Sequence, residues 1–464
     1  MPLRRSHYCD PTGACGEAFH AGLRIHGNRS RAYAIKSLRL YARSEYGEPD
    51  HFEGFGFYEP PHGPHRRLLL RTSGQDHGEL TFLDAYLQSL VDHLNVDTQA
   101  SQPVAVFING EYWGRHNLRE RYDRHYLAAT HGADPGTVVQ LGTGLEVEAG
   151  ADGADQPYRD LLEFVASADM GRPEVVAHIE SQVDIDSFFD AVIVHVFVGN
   201  EDWPGNNMRL WRQPGAADLP GDGVLDGRWR WVVLDLDQTG GRRTTRGTSV
   251  RPLNADIDVF RGRFAPNDST TSQRGYPMLF HRLMENPTLR ERFVVRFADV
   301  LNTALHPDRT IPQLRTMAAQ VESEMPAHID RWGAPSSFER WTGYVARLED
   351  FLRDRPDAQR AHLARLFALE GKHVLRVETD AVHGTVTVNS VRLDGSTPGV
   401  AATSVWQGTY FAGVPIRLTA QPVEGAQFVR WDGLDASLAA SVADAQVELV
   451  MESDMVVTAI FRPA

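Results

Sequence analysis

Cysteine is almost missing from this chain. Only Cys9 and Cys15 occur in 464 residues, which excludes a zinc-finger array or a disulfide framework. The pair is close enough in sequence to close one small loop in an oxidising compartment, and two free thiols in an irregular segment are the alternative. Long apolar runs are also lacking. No stretch approaches the ~20 residues of a membrane span, so no spanning helix is expected. The opening Met1-Pro2-Leu3-Arg4-Arg5-Ser6 has no apolar core of a secretion signal. Excess positive charge is absent too: the formal net charge of −14 argues against a nucleic-acid partner, yet suits capture of a basic protein. There is no Gly-x-Ser-x-Gly elbow, no Walker loop and no dinucleotide-binding fingerprint, and the histidines show no metal-type spacing.

The chain is too long for one ordinary core, so two or three domains are expected. Periodicity predicts strands around a turn over residues 22–47, a helix over 79–94, and a hairpin made of 104–108, the turn Asn109-Gly110, and Tyr112–Arg119. A helix near 123–131 and a Gly/Asp-rich surface loop over 132–157 follow. Helices are expected at 158–168, 174–183 and 186–198, the last strongly apolar. Strands are expected at 208–212 and 229–236 around a loop over 213–227, and residues 276–371 read as mostly helical. From about residue 372 Val, Thr and Gly dominate and the pattern alternates, as in Thr385-Val386-Thr387-Val388 and Ile416-Arg417-Leu418-Thr419. The expected class is α+β, with domains at 1–124, 125–371 and 372–464, the last a small all-β module.

The stretch Asn200-Glu201-Asp202-Trp203-Pro204-Gly205-Asn206-Asn207, followed by Leu234-Asp235-Leu236-Asp237, carries the most chemistry. Phosphoryl transfer from a metal nucleotide needs an acid that orients the attacking hydroxyl, with an amide and a further acid on the metal. The catalytic loop of protein kinases spaces these as His-Arg-Asp-x-x-x-x-Asn. Asp202 and Asn207 keep that spacing, with Asn200 and Glu201 in place of His-Arg. Asp202 is the candidate catalytic group, a turn-capping aspartate being the structural alternative. Asn207, or its neighbour Asn206, would ligate metal. Asp235 and Asp237 fall on one face of a strand by alternation and would repel unless a cation or donor lies between them.

Several blocks, in order, resemble the CotH kinase family of atypical kinases. They are Arg24–Arg31 with Lys36–Leu40, Arg71-Thr72-Ser73-Gly74-Gln75-Asp76, Ile108–Gly114 with Leu118–Asp123, Asn200–Asn207 and Leu234–Asp237. Where that family often has Trp before Asp-x-Asp, this chain has Leu234. The resemblance implies an atypical two-lobed kinase-like domain, an N-lobe over 1–124 and a helical C-lobe over 125–371. It implies ATP and Mg²⁺ (or Mn²⁺) as cofactors and a protein substrate with Ser or Thr acceptors. It would place Lys36 on the nucleotide phosphates, with Glu79, Glu120 or Asp76 as its acidic partner. The turn Gly27–Arg31 would cover the phosphates, with Ser30, Arg29 and Arg31 as donors. Residues 408–461 resemble the divergent InlB-type B-repeat, which implies a secreted or cell-surface protein. Two rival readings are a kinase-like adhesion protein without activity and a metal-dependent phosphohydrolase.

Overall fold

A computed structural model describes residues 3–9, 13, 15–16, 18–47, 50–52, 64–215, 223–240, 244–245, 248–249, 253–262, 264–265, 275–434 and 441–464. Residues 216–222 of the expected 213–227 loop lie outside that set. The chain falls into two compact units, residues 1–278 with 314–349, and residues 279–313 with 350–464.

The first unit begins with strands β1 (Leu3–Ser6), β2 (Phe19–Ile25), β3 (Leu38–Tyr41) and β4 (Arg67–Arg71). Cys9 and Cys15 are joined in a disulfide between β1 and β2. Helix α1 (Leu83–Ser89) precedes the hairpin of β5 (Ser101–Ile108) and β6 (Glu111–Glu120). The six strands form one antiparallel sheet in the order β1-β2-β3-β4-β6-β5. Ala21, Leu40, Leu68 and Leu118 form its core. The hairpin turn falls on Asn109 and Gly110, both at positive φ, as its residues require.

Helix α1 is shorter than the predicted 79–94. The Asp76 carboxylate accepts the amides of Leu80 (3.2 Å) and Leu83 (3.1 Å), and Thr81 sits at φ 70°, so the chain turns before it coils. Leu80, Leu83, Leu87, Leu90 and Val91, whose spacing suggests one helical face, are all buried.

After α2 (Arg124–His131) comes a small sheet with order β10-β9-β7-β8, built from β7 (Val139–Leu141), β8 (Val147–Ala149), β9 (Leu210–Arg212) and β10 (Arg230–Trp231). The stretch 132–157 is therefore not only loop; its three-residue strands are too short to leave a period. Helices α3 (Gln156–Ser167), α4 (Pro173–Gln182) and α5 (Ile185–Val198) follow. Helix α5 is buried on every side and packs Phe188, Phe189, Ile193 and Phe197 into the core. Asp184 caps its N-terminus through the Ser187 amide, and Gly199 ends it at φ 65°. The chain then enters the 200–207 segment. A two-stranded ribbon, β11 (Thr244–Thr245) and β12 (Thr248–Ser249), lies beyond.

Helices α6 (Gly275–Leu283), α8 (Pro307–Glu322) and α10 (Phe338–Phe367) contribute residues to both units, α9 (Met325–Trp332) belongs to the first and α7 (Pro287–Asn302) to the second. Among the described residues the second unit ends in eight strands: β13 (Lys372–Thr379), β14 (Gly384–Val388), β15 (Val391–Arg392), β16 (Val405–Phe411), β17 (Pro415–Pro422), β18 (Ala426–Asp432), β19 (Gln446–Val450) and β20 (Met455–Pro463). They make two sheets, β16-β13-β20-β18 and β15-β14-β17-β19, as the alternating pattern leads one to expect. Their inward residues, among them Leu375, Val386, Leu418, Trp431 and Val457, form one core that also takes in Ala298 of α7. Among the described residues no helix is long and apolar enough to cross a membrane.

Candidate active site

The 229–236 stretch departs from its expected form. Only Arg230–Trp231 is strand, and Asp235 takes φ 57°. The reason lies in the partners. The Leu236 amide donates to the Asp84 carboxylate at 2.7 Å instead of to a neighbouring strand, so the chain turns there. Alternation therefore does not explain how Asp235 and Asp237 come together. The turn does: it buries Leu236 and leaves both flanking acids on one guanidinium.

That guanidinium is Arg71, the last residue of β4. Its Nη2 donates to Asp235 Oδ1 and, at 3.3 Å, to Asp237 Oδ2, and its Nε lies 3.7 Å from Asp84 Oδ2. A cation thus does lie between the two carboxylates, as their mutual repulsion demands. Asp237 also accepts the Gln75 amide at 2.8 Å. Gly74 makes that approach possible: a Cβ there would press into Asp237 Oδ2. Behind them, Asp84 forms a buried ion pair with Arg119.

The 200–207 segment meets this corner. The Asp235 carbonyl accepts from the side-chain amides of both Asn207 (3.2 Å) and Asn200 (3.4 Å). The Glu201 amide donates to the Gln238 carbonyl at 3.1 Å. Asn200 Oδ1 accepts the Asp202 amide at 3.0 Å, and the Asp202 carbonyl accepts the Asn206 amide at 2.7 Å, which folds the segment into a tight turn. Trp203 anchors the turn: it is buried and stacked between His195 (4.7 Å) and Phe264 (4.7 Å). Asp202 and Asn207 stay half-buried, and Asn206 is exposed.

The other sequence-nominated residues spread along the N-terminal sheet. Residues 29–32 form a short 3-10 turn, with Arg29 and Arg31 exposed and Ser30 half-buried. Lys36, one of only two lysines in the chain, donates its ammonium to the carbonyls of Arg31 (2.8 Å) and Tyr33. Glu79 is buried. Asp76 receives main-chain amides as described. Glu120 accepts the Ala100 amide at 3.1 Å and lies 3.8 Å from His65. The described ammonium contacts of Lys36 thus run to carbonyls and tie it to the end of the 29–32 turn. The turn reaches the acid pair indirectly: the Tyr33 hydroxyl donates to Gln75 Oε1 at 2.6 Å, next to the Gln75 amide on Asp237.

Charge sets the tone of the corner. Burial, then the negative charge of Asp235, pushes the Asp237 carboxyl well above the usual range, and Arg71 only partly offsets this. For Asp84 burial acts in the same direction, but Arg119 and Arg71 outweigh it and hold the carboxyl well below its usual value. Burial opposes the charge on Arg71, and Asp235, Asp84 and Asp237 more than restore it. Arg71, Gln75 and Asp84 are not among the residues nominated from the sequence. A signal existed for each: Arg71 and Gln75 lie in the Arg71–Asp76 block, and Asp84 is an acid amid the apolar Leu80, Leu83 and Leu87.

An acid–amide turn docked on a paired-acid turn is what kinase-type proteins bring to a metal nucleotide. Residues 23–358 match the family described as CotH kinase protein, and the chain belongs to that family. Residues 376–464 match the divergent InlB B-repeat domain. No curated protein matches the chain. The donor chemistry of Asp235, Asp237 and Asn207 fits a hard divalent cation, since all three offer oxygens and the acid pair, buried at Asp237 and partly open at Asp235, has one guanidinium to balance it. Among the described residues no three His, Cys, Asp or Glu side chains form a metal-holding group, so an ion there would need the asparagine and oxygens from its own ligand.

Proposed function

We propose that this protein is an ATP- and Mg²⁺-dependent kinase (Mn²⁺ serving as well) that phosphorylates Ser or Thr hydroxyls of a protein substrate. The observation that carries this reading is the docking of Asn200 and Asn207 onto the Asp235 carbonyl, which joins the acid–amide turn to the acid pair in a chain of the CotH kinase family. In this reading β1–β6 and the following helices act as the two lobes, with ATP between them. Asn207, Asp235 and Asp237 are the groups to hold the metal, which would neutralise phosphate charge when bound. Ser30, Arg31 and Lys36 serve the phosphates, Lys36 by fixing the 29–32 turn, and Glu79 and Glu120 are the buried acids of the same lobe. The acceptor oxygen bonds to the γ-phosphorus as the bond to the bridging oxygen breaks, ADP leaves with that electron pair, and the acceptor proton passes to Asp202.

The Cys9–Cys15 disulfide and the B-repeat module support an exported, surface-associated location. The test is transfer of labelled γ-phosphate to a Ser-rich protein. Asp202→Ala should lower turnover by about 10²–10⁴. Equal labelling by wild type and variant removes Asp202 from this role, and phosphate release without acceptor labelling points to hydrolysis.

A further inference from the structure

Arg71 stands where a bound cation would stand. Its Nη2 reaches both Asp235 and Asp237, and only 13 % of its side chain is exposed. The residue is held at its other edge, where Nε faces Asp84 at 3.7 Å. Asp84 is itself fixed by Arg119, by the Leu236 amide and by the Gln88 amide at 3.0 Å. With all three carboxylates ionised, the two guanidiniums leave the cluster with one negative charge in excess. That surplus invites a further cation, yet a divalent ion between Asp235 and Asp237 would press against the guanidinium already there, and like charges at contact repel. A polyphosphate relieves the conflict. It supplies anionic oxygens that the planar guanidinium can bind in bidentate fashion. Asp235 is 35 % exposed, so the open side of the cluster is reachable.

We propose that Arg71 is a resident counter-ion that makes metal binding at Asp235 and Asp237 conditional on polyphosphate: the guanidinium holds the two acids together when the site is empty of ligand and turns onto phosphate oxygens as metal and polyphosphate enter together. Asp84 serves as its pivot. This rests on the reading of the site as a metal-nucleotide site.

The test uses the full chain and Mn²⁺ as probe, with free Mn²⁺ followed by electron paramagnetic resonance. Wild type should bind Mn²⁺ alone weakly, and Arg71→Gln at least about tenfold more tightly, because the competing charge is gone. For the Mn²⁺ complex of adenylyl imidodiphosphate, followed by equilibrium dialysis of the nucleotide, the order should reverse. If Arg71→Gln fails to fold, wild type alone decides: nucleotide retention should rise at least about tenfold with Mn²⁺ while Mn²⁺ alone is poorly held. Equal Mn²⁺ affinity in wild type and variant, or tight Mn²⁺ binding by wild type without nucleotide, overturns the coupling and leaves the metal site standing. No Mn²⁺ binding by either protein, with or without nucleotide, overturns the metal-nucleotide reading and the coupling with it.

Discussion

Gly74→Ala is a single-methyl perturbation of the proposed site. Gly74 sits at φ 56°, where an L side chain costs about 1–2 kcal/mol. Its new Cβ would also run into Asp237 Oδ2 and come within 3.2 Å of Arg71 Nη2. Neither neighbour is a loose surface chain, since Asp237 is 4 % exposed and Arg71 13 %. Overpacking of this kind costs about 1–3 kcal/mol, for a total of about 2–5 kcal/mol. Gly132→Ala is the matched control. It is also left-handed, at φ 72°, but its Cβ would meet nothing within 4 Å, so only the backbone cost of about 1–2 kcal/mol applies. Urea unfolding of the two variants should differ by about 1–3 kcal/mol, and only Gly74→Ala should lose Mg-nucleotide binding. Equal losses in both variants, with nucleotide binding intact in both, would show that the Gly74–Asp237 approach does not shape the site.

Two buried acids should respond to pH with opposite sign. Asp84 has a folded carboxyl below its unfolded value, so the unfolded state binds the extra proton. Its contribution is present above about pH 4 and lost as pH falls; Asp84→Asn should flatten the decline of the urea midpoint on acidification, and Asp84→Ala should cost about 3–5 kcal/mol by stranding Arg119. Asp299 of α7 accepts from Asn389, Tyr410, and the amide and hydroxyl of Ser390, yet burial still raises its carboxyl. Here the folded state binds the extra proton, so stability should fall as pH rises through the window above the unfolded value, and Asp299→Asn should remove that slope. Asp299→Ala should destabilise the second unit by about 1–3 kcal/mol through its unsatisfied partners, read by urea unfolding.

The sequence disclosed the elements best where burial imposed a period. Helix α5 and the C-terminal strands follow their apolar patterns closely because they bury whole faces, whereas the β5–β6 hairpin is legible from its Asn109-Gly110 turn, β5 itself being only half-buried with Phe107 exposed. It disclosed less where a side chain replaced the main chain as partner. Asp76 caps the turn before α1, and Asp84 takes the Leu236 amide from the expected strand. Neither substitution has a periodic trace. The nominated Asp202, Asn207, Asp235 and Asp237 could be chosen by spacing because two short segments carry them. Arg71 could not, since a strand arginine reads as a solvated charge until the fold brings it across 164 residues to Asp235. Lys36 shows the converse: its rarity singles it out, while its ammonium lies on main-chain carbonyls.

Thermal denaturation with ATP and Mg²⁺, alone and together, bears on the joined turns without needing a substrate protein. Wild type at 100 times the Kd of Mg-ATP should gain about 2.7 kcal/mol, with little gain from Mg²⁺ alone, and Asn207→Ala and Asp235→Asn should lose most of it. No stabilisation of wild type at saturating Mg-ATP, or an undiminished gain in both variants, would mean that the meeting of Asn207 with the Asp235 turn does not build a nucleotide site.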